Sequence, residues 1–326
     1  MPEGHSVHRI AGQFSTNFVG HRVACSSPQG RFANGAALLD GHTMIGARAV
    51  GKQLFLEFDN ALFLRVHLGI YGAWDFAGEI TVDPTIAASN GRMGQTGQRG
   101  IPEILDDSGE NSLRSIGAPR RTRLRMAEAE KQGETLSVFP PEPVGQVRVR
   151  LLTNTAVADL RGPTTCEVLN PGEVDTVLTR LGPDPLVDGG VEAQDRFFRV
   201  VHSKRTVIAL LLMDQSVVSG IGNVYRAEIL FRARLNPHIP GNALSGETIR
   251  ALWDDWDTLL RRGVQVGQML TMDGLSEEDQ RRALASRTDR HWVYKREGLP
   301  CRVCGTNIAM EVLGGRKLYW CPRCQE

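Results

Sequence analysis

The sequence predicts an α+β protein of more than one domain. Three observations carry this. Apolar strand patterns fill the chain between residues 52 and 68 and return at 146, helical spacing takes over from Asp195, and four of the six cysteines crowd the last 26 residues. A chain of 326 residues has room for about two domains of ~100–200 residues, each with its own core. A composition of 41% hydrophobic and 23% charged residues is that of an ordinary globular protein, and argues against a wholly disordered, collagen-like or disulfide-dense chain. The longest apolar run, Val207 to Met213, falls far short of the ~20 residues a bilayer span requires. No charged segment followed by an apolar stretch marks a secretion signal at the start. The net charge of +1 is silent about partners, so evidence for a polyanionic ligand must be local.

Taken in order, His8 to Phe18 reads as a helix. Lys52 to Phe58 and Leu62 to Leu68 are apolar runs joined by Asp59-Asn60, a hairpin turn signal. From Ala77 to Val138 there is no Phe, Trp or Tyr, and the stretch holds Gly94-Gln95-Thr96-Gly97-Gln98-Arg99-Gly100. With little apolar surface to offset ordering entropy, residues 77–138 are expected to form a disordered insertion, Arg120 to Lys131 being its best helical candidate. Gln146 to Leu151 alternates with period two, a strand. The rigid Leu181-Gly182-Pro183-Asp184-Pro185-Leu186 is the expected boundary. The domains expected are thus 1–180, 187–290 and 291–326.

Beyond the boundary, Thr206 to Met213, Val217 to Leu235, Ser245 to Arg262 and Glu277 to Ala285 carry helical spacing. Ser219-Gly220-Ile221-Gly222-Asn223 interrupts it. Two glycines let a loop approach another molecule closely, and the N–H groups of the following helix start suit a phosphate. An ordinary helix–helix turn would read the same way.

Cys25 and Cys166 are isolated and read as small buried apolar side chains. Cys301, Cys304, Cys321 and Cys324 follow C-x2-C-x16-C-x2-C, the spacing of zinc ligands. Four thiolates complete a tetrahedron and leave no place for water, so the one Zn2+ expected is structural. Pairing as disulfides is the alternative, disfavoured in a chain without a secretion signal.

Pro2-Glu3-Gly4 opens the chain after Met1. Removal of Met1 would expose a secondary amine, which can attack the anomeric carbon of a sugar or a carbonyl to form an iminium that acts as an electron sink. An α-amino group has a pKa near ~8, so a neutral fraction exists at working pH. Glu3 is a carboxyl group placed for proton transfer beside it. A plain turn at a free end is the other reading of these three residues.

Pro2-Glu3-Gly4 at the start, Gly51-Lys52 entering a strand, the Gly220-Ile221-Gly222-Asn223 turn and the C-terminal four-cysteine finger occur in that order. Together with Trp292 to Gln325 they resemble the formamidopyrimidine-DNA glycosylase/endonuclease VIII family, over the whole chain apart from the insertion. The resemblance implies an N-terminal two-layer β-sandwich with a helix, then a helix–two-turn–helix domain and a zinc-ribbon-like β-hairpin finger. It implies a cleft for DNA between the domains, and a bifunctional DNA glycosylase/AP lyase that removes oxidised bases through a Schiff base and β,δ-elimination. Residue by residue, Pro2 resembles the nucleophile, Glu3 the acid/base, Lys52 the proton-transferring lysine and Asn223 the phosphate-binding asparagine. Arg316 resembles the finger arginine linked to δ-elimination.

The stretch Val66-His67-Leu68-Gly69-Ile70-Tyr71-Gly72 is similar to the DNA-contacting loop that fills the hole left by an extruded base, with His67, Gly69, Ile70 and Tyr71 as DNA-binding candidates. Gly69 stands where one endonuclease VIII branch carries a polar side chain. Arg180 matches a DNA-contacting arginine of endonuclease VIII. The oxidised-purine branch carries an Asp-Pro-Arg-Arg-Phe-Gly element that is missing between Val149 and Leu169, and the opening Pro2 to Arg9 is similar to an actinobacterial endonuclease VIII-type lineage. Oxidised pyrimidines are therefore the expected substrates, in damaged double-stranded DNA, with single-stranded DNA as a further candidate. The protein is expected to be a cytoplasmic, nucleoid-associated monomer. An oxidised-purine glycosylase and a non-catalytic sensor of damaged DNA are the alternatives.

Overall fold

The structure, a computed structural model, describes residues 2–81, 115–118, 139–286 and 289–326. It divides into two units, Met1–Leu178 and Thr179–Glu326.

The first unit opens with α1 (Gly4–Asn17), then β1 (Arg22–Ser26), α2 (Ala33–Leu39), β2 (His42–Val50), β3 (Gln53–Phe58), β4 (Phe63–His67) and β5 (Ala73–Gly78). After these come β6 (Ser115–Gly117), β7 (Val147–Leu152), β8 (Ala156–Arg161), β9 (Thr165–Leu169) and α3 (Pro171–Thr179). The strands run in the order β6-β5-β8-β7-β1-β2-β3-β4-β9. Only two residue pairs join β1 to β2, so the order bends there into two halves. Leu54, Leu56 and Leu64 from one half and Trp74, Val149 and Leu160 from the other enter a single core. This is the two-layer arrangement. Val7, Ile10, Phe14 and Phe18 of α1 join the same core, and Phe14 meets Trp74 edge-on with ring centroids 4.8 Å apart.

Helix α1 starts at Gly4, four residues before the expected His8. Its opening turns bury His5, Ser6 and Arg9 as well as Val7, so the apolar stripe that marks a helix in sequence is diluted there. A second departure concerns residues 77–138, expected to be disordered. Within that range Ser115–Gly117 pairs with β5, and Ile116 is fully buried in the core. One isoleucine in a polar context supplies no periodicity for a sequence reading to detect. The expected helix at Arg120 to Lys131 lies outside the described residues.

The second unit contains α4 (Val191–His202), α5 (Ile208–Leu211), α6 (Asn223–Arg232), α7 (Gly246–Val266), α8 (Glu277–Ala285) and the hairpin β10 (Ala309–Leu313)–β11 (Arg316–Trp320). Ser245 caps α7 by accepting the N–H of Thr248, and Gly267 ends it in the left-handed region at φ 76°. Trp256 packs against Tyr225 at 4.9 Å, with Phe197, Leu252 and Leu260 around them. The expected helix from Val217 to Leu235 is shorter: residues 217–222 are turn, and the helix begins at Asn223.

Candidate active site

Two groups of side chains, one in each unit, carry the sequence-predicted chemistry. In the first unit the chain enters α1 directly from Pro2-Glu3. Pro2 is buried, Glu3 is fully buried at the N-cap with an extended backbone, and the Glu3 carbonyl accepts the Ser6 N–H at 3.0 Å. Behind Glu3, His5 is buried, with Nε2 3.1 Å from Ser6 Oγ. Sequence reasoning did not single out His5 or Arg9, because buried polar groups on a helix leave no pattern.

Gly51 and Lys52 form the two-residue connection that closes the Val50–Gln53 pair of β2 and β3, with Gly51 at φ 58°. The next register puts Gln53 opposite His67, which brings the end of β4 beside Lys52. Burial holds the His67 imidazole below its ordinary pKa, and the cations of Lys52 and Arg65 push it the same way. A neutral imidazole therefore stands next to the lysine.

The turn after β4 closes with the Gly72 N–H donating to the Leu68 carbonyl at 2.9 Å. Ile70 and Tyr71 are both 45% exposed. Gly69 sits at φ 64°, and a Cβ there would collide with Thr164 Oγ1. A side chain at position 69 would have to displace Thr164 of the β8–β9 connection and hold a strained backbone.

In the second unit, Gln215 shapes the glycine turn. Its Oε1 accepts the Gly220 N–H at 3.1 Å, and its Nε2 donates to the carbonyls of Met213 and Ile221, both at 3.0 Å. Asn223 opens α6 behind Gly222. Its Nδ2 donates to the Lys317 carbonyl at 2.8 Å, and its Oδ1 accepts from Arg226 Nη2 at 2.5 Å. Arg226 also reaches the Lys317 carbonyl, at 3.1 Å. The turn and the hairpin strand that begins with Arg316 are thus fastened together. Arg316 itself is exposed, directly after Gly314 and Gly315 at φ 59° and 71°. Arg180 is exposed where the second unit begins.

A further anchor, Glu228, was invisible in sequence because it reads as one more charge on a helix. It is fully buried. Its carboxyl oxygens accept the N–H groups of Trp292, Val293 and Tyr294 at 2.7, 2.9 and 2.8 Å, and Thr271 Oγ1 lies at 2.5 Å. Burial raises its pKa, and those hydrogen bonds oppose the shift. Glu228 thereby ties the segment leading into the finger to α6.

The family profiles match in the same order as the motifs. The formamidopyrimidine-DNA glycosylase N-terminal domain matches residues 1–100, the formamidopyrimidine-DNA glycosylase H2TH domain 181–273, and a zinc finger found in FPG and IleRS 298–326. Endonuclease 8 1 of Mycobacterium tuberculosis is 35% identical over 325 residues, 100% of both chains. Formamidopyrimidine-DNA glycosylase of Thermus thermophilus is 38% identical over 149 residues, 46% of this chain and 55% of that one. The chain belongs to the formamidopyrimidine-DNA glycosylase/endonuclease VIII family. At the level of fold, the crystal structure of MutM (Fpg) from Thermus thermophilus superposes with TM-score 0.65 at 23% identity, covering 99% of this chain and 98% of that one. The Lactococcus lactis Fpg in complex with abasic-site DNA gives TM-score 0.67 at 17% identity, covering 99% of each chain.

As a member of this family, the protein is a bifunctional DNA glycosylase/AP lyase acting on oxidised bases in DNA. Its finger has the zinc site of the family. The four Sγ atoms of Cys301, Cys304, Cys321 and Cys324 lie within 4.8 Å of one another. The separations of 3.9 Å for Cys301–Cys324 and 3.4 Å for Cys304–Cys321 bracket the ~3.8 Å edge of a tetrahedron with Zn–S bonds near 2.3 Å. Hydrogen bonds from the Thr306 side chain and backbone hold the Cys304 thiol down at about 6, whereas burial pushes Cys324 up to about 12. Among the described residues no cysteine is in a disulfide. Gln325 secures the site from behind: its Oε1 accepts the Cys321 N–H at 2.9 Å and its Nε2 donates to the Leu235 carbonyl at 3.0 Å.

Proposed function

We propose that the enzyme excises oxidised pyrimidines, with Pro2 as nucleophile once Met1 has been removed. The full-length match to a protein named endonuclease 8 carries this reading. It is supported by the residues between Val149 and Leu169, which fold as β7, β8 and β9 with a three-residue β8–β9 connection. Neither that connection, Gly162-Pro163-Thr164, nor the strands it joins carry the Asp-Pro-Arg-Arg-Phe-Gly element of the oxidised-purine branch.

The Pro2 nitrogen bonds to C1′ of the flipped nucleotide as the bond to the base breaks, and the leaving base takes a proton from an acid for which Glu3 is placed. The proline nitrogen loses its proton, the C1′–O4′ bond then breaks with a proton delivered to O4′, and the open-chain iminium so formed acidifies the C2′ hydrogen. Its removal expels the 3′ phosphate, and loss of the C4′ hydrogen then expels the 5′ phosphate. Lys52 and its neutral neighbour His67 stand together as proton carriers for these steps. Exposed Ile70 and Tyr71 fill the stack vacated by the nucleotide, offsetting an unstacking cost of roughly a few kcal/mol. Asn223, Arg316 and Arg180 contact the phosphates of duplex DNA. Among the described residues no helix is long and apolar enough to cross a membrane, and the place of action proposed is chromosomal DNA in the cytoplasm.

Borohydride trapping on a panel of duplexes tests both parts. Protein verified to begin at Pro2 should form a covalent adduct with thymine glycol and dihydrouracil duplexes faster than with 8-oxoguanine duplex. Faster trapping on 8-oxoguanine overturns the pyrimidine assignment, and no adduct even on abasic-site DNA overturns Pro2 as nucleophile.

A further inference from the structure

His238 lies in the loop between α6 and α7, outside every residue assigned a role above. Its Nε2 donates to Glu311 Oε1 on β10 at 2.7 Å, and its ring stands edge-on to Trp320 of β11 at 5.3 Å. The other ring nitrogen, Nδ1, lies 3.1 Å from Asn236 Oδ1. The His238 backbone N–H donates to that same Oδ1 at 2.9 Å, which fixes the atom as the amide oxygen and not the nitrogen. Both ring nitrogens therefore face acceptors. A neutral imidazole carries one N–H and satisfies only one of them, whereas the imidazolium satisfies both.

We propose that His238 and Glu311 form a proton-dependent clasp that seats the finger hairpin against the helical core and so positions Arg316. Pairing sets the register: Glu311 lies opposite Leu318 and Leu313 opposite Arg316, so Glu311 and Arg316 share one face of the hairpin. Leu318 on that face is fully buried in the core of the second unit, and Leu313 and Trp320 pack against it. On β11 the hairpin is already held by Asn223 and Arg226 at the Lys317 carbonyl, a contact that does not titrate. On β10 the corresponding contact is the His238–Glu311 pair. One strand is held by a contact that does not titrate, and the other by one that is an ion pair only when the ring carries its second proton. The charged side chains on the elements packed against the ring are Glu311 on β10, Arg316 and Lys317 on β11, and Lys204 and Arg205 leading into α5. Deprotonation leaves Asn236 and Glu311 competing for one N–H, and weakens the hold on β10.

The readout is the pH dependence of KM, and of the ratio of δ- to β-elimination products, on abasic-site duplex between about pH 5.5 and 8.5, a range that spans histidine titration. Zinc-loaded full-length protein is compared with His238→Gln and Glu311→Gln. The wild type should show KM rising and the δ fraction falling with pH by about two- to fivefold, the range of a half-exposed ion pair. Both variants should lack that component while kcat for base release, measured separately on a thymine glycol duplex, is unchanged. Parallel KM profiles for wild type and His238→Gln overturn the proposal. Should either variant lose its zinc, the ring nitrogens of His238 in wild type are followed by 15N NMR. The imidazolium should deprotonate in step with the rise in KM, and a ring that becomes neutral with KM unmoved overturns it equally.

Discussion

Gly69 shows how a single residue can be fixed by its surroundings while the family resemblance leaves it open. A positive φ and a collision with Thr164 both oppose a side chain there. Gly69→Ala should cost about 1–3 kcal/mol by thermal unfolding and slow base excision by displacing Ile70 and Tyr71, whereas Gly20→Ala, with open space at a similar φ of 85°, tests the backbone cost alone. Glu228 makes a larger prediction. Glu228→Ala leaves three buried N–H groups without their acceptor and should destabilise the second unit by about 3–5 kcal/mol, measured by calorimetry on the zinc-loaded protein. Neither residue could be read from the sequence with its reason. Pro2, Lys52 and Asn223 stand out as candidates because each sits in a short motif at a chain end or turn. Glu228 and Thr164 act through contacts distant in sequence, which no local pattern encodes.

Among the elements, the strands were legible where one face is dry. Leu54, Leu56 and Phe58 are buried, and the run around them announces β3 without further help. By contrast β9, half-buried throughout, and β6, three residues long, give no such signal. The four-cysteine finger was the most legible element of all, because metal geometry constrains spacing directly. Its core includes Tyr319, Ile308 and two of the cysteines themselves, too little apolar material to hold a fold alone. Chelation of zinc should therefore release the finger. The expected signs are reaction of four thiols with a thiol reagent, a change in Trp320 fluorescence and loss of duplex affinity. Cys25 should stay unreactive, since burial pushes its thiol up to about 12, whereas Cys166, expected to be buried, is only half-buried on β9. Labelling of Cys25 before the first unit melts would contradict that.

At the scale of the molecule, pH acts on the first unit through His67. Burial lowers its pKa on folding, so the unfolded chain binds more protons at and below the ordinary histidine value. Stability from this group is complete above about pH 6.5, the unfolded value, and falls as pH drops through it. His67→Gln should flatten the acid limb of the stability curve between about pH 6.5 and 5, and an unchanged curve would show that the imidazole keeps its ordinary pKa.

The distribution of charge makes the last prediction. A net charge of +1 over 326 residues predicts no attraction to DNA, yet Arg281 to Glu326 holds ten Lys and Arg against four Asp and Glu, a local +6. Several of the remaining basic groups are neutralised inside the second unit: Arg232 is paired with Asp255 and Asp273, and Arg250 with Asp195. Exposed Arg316, Lys317 and Arg323 stand on the finger, away from those pairs in sequence. Counterion release depends on the phosphates contacted and not on the total charge, so binding should be strongly salt-dependent despite the near-zero sum. The slope of log K against log salt for an abasic-site duplex should fall near −4 to −6, on the order of 0.9 per phosphate contacted. Arg316→Ala should make it shallower by about one unit with every sequence tested. A slope near zero, or one unchanged in Arg316→Ala, would mean that the finger's charge does not meet the phosphates at all.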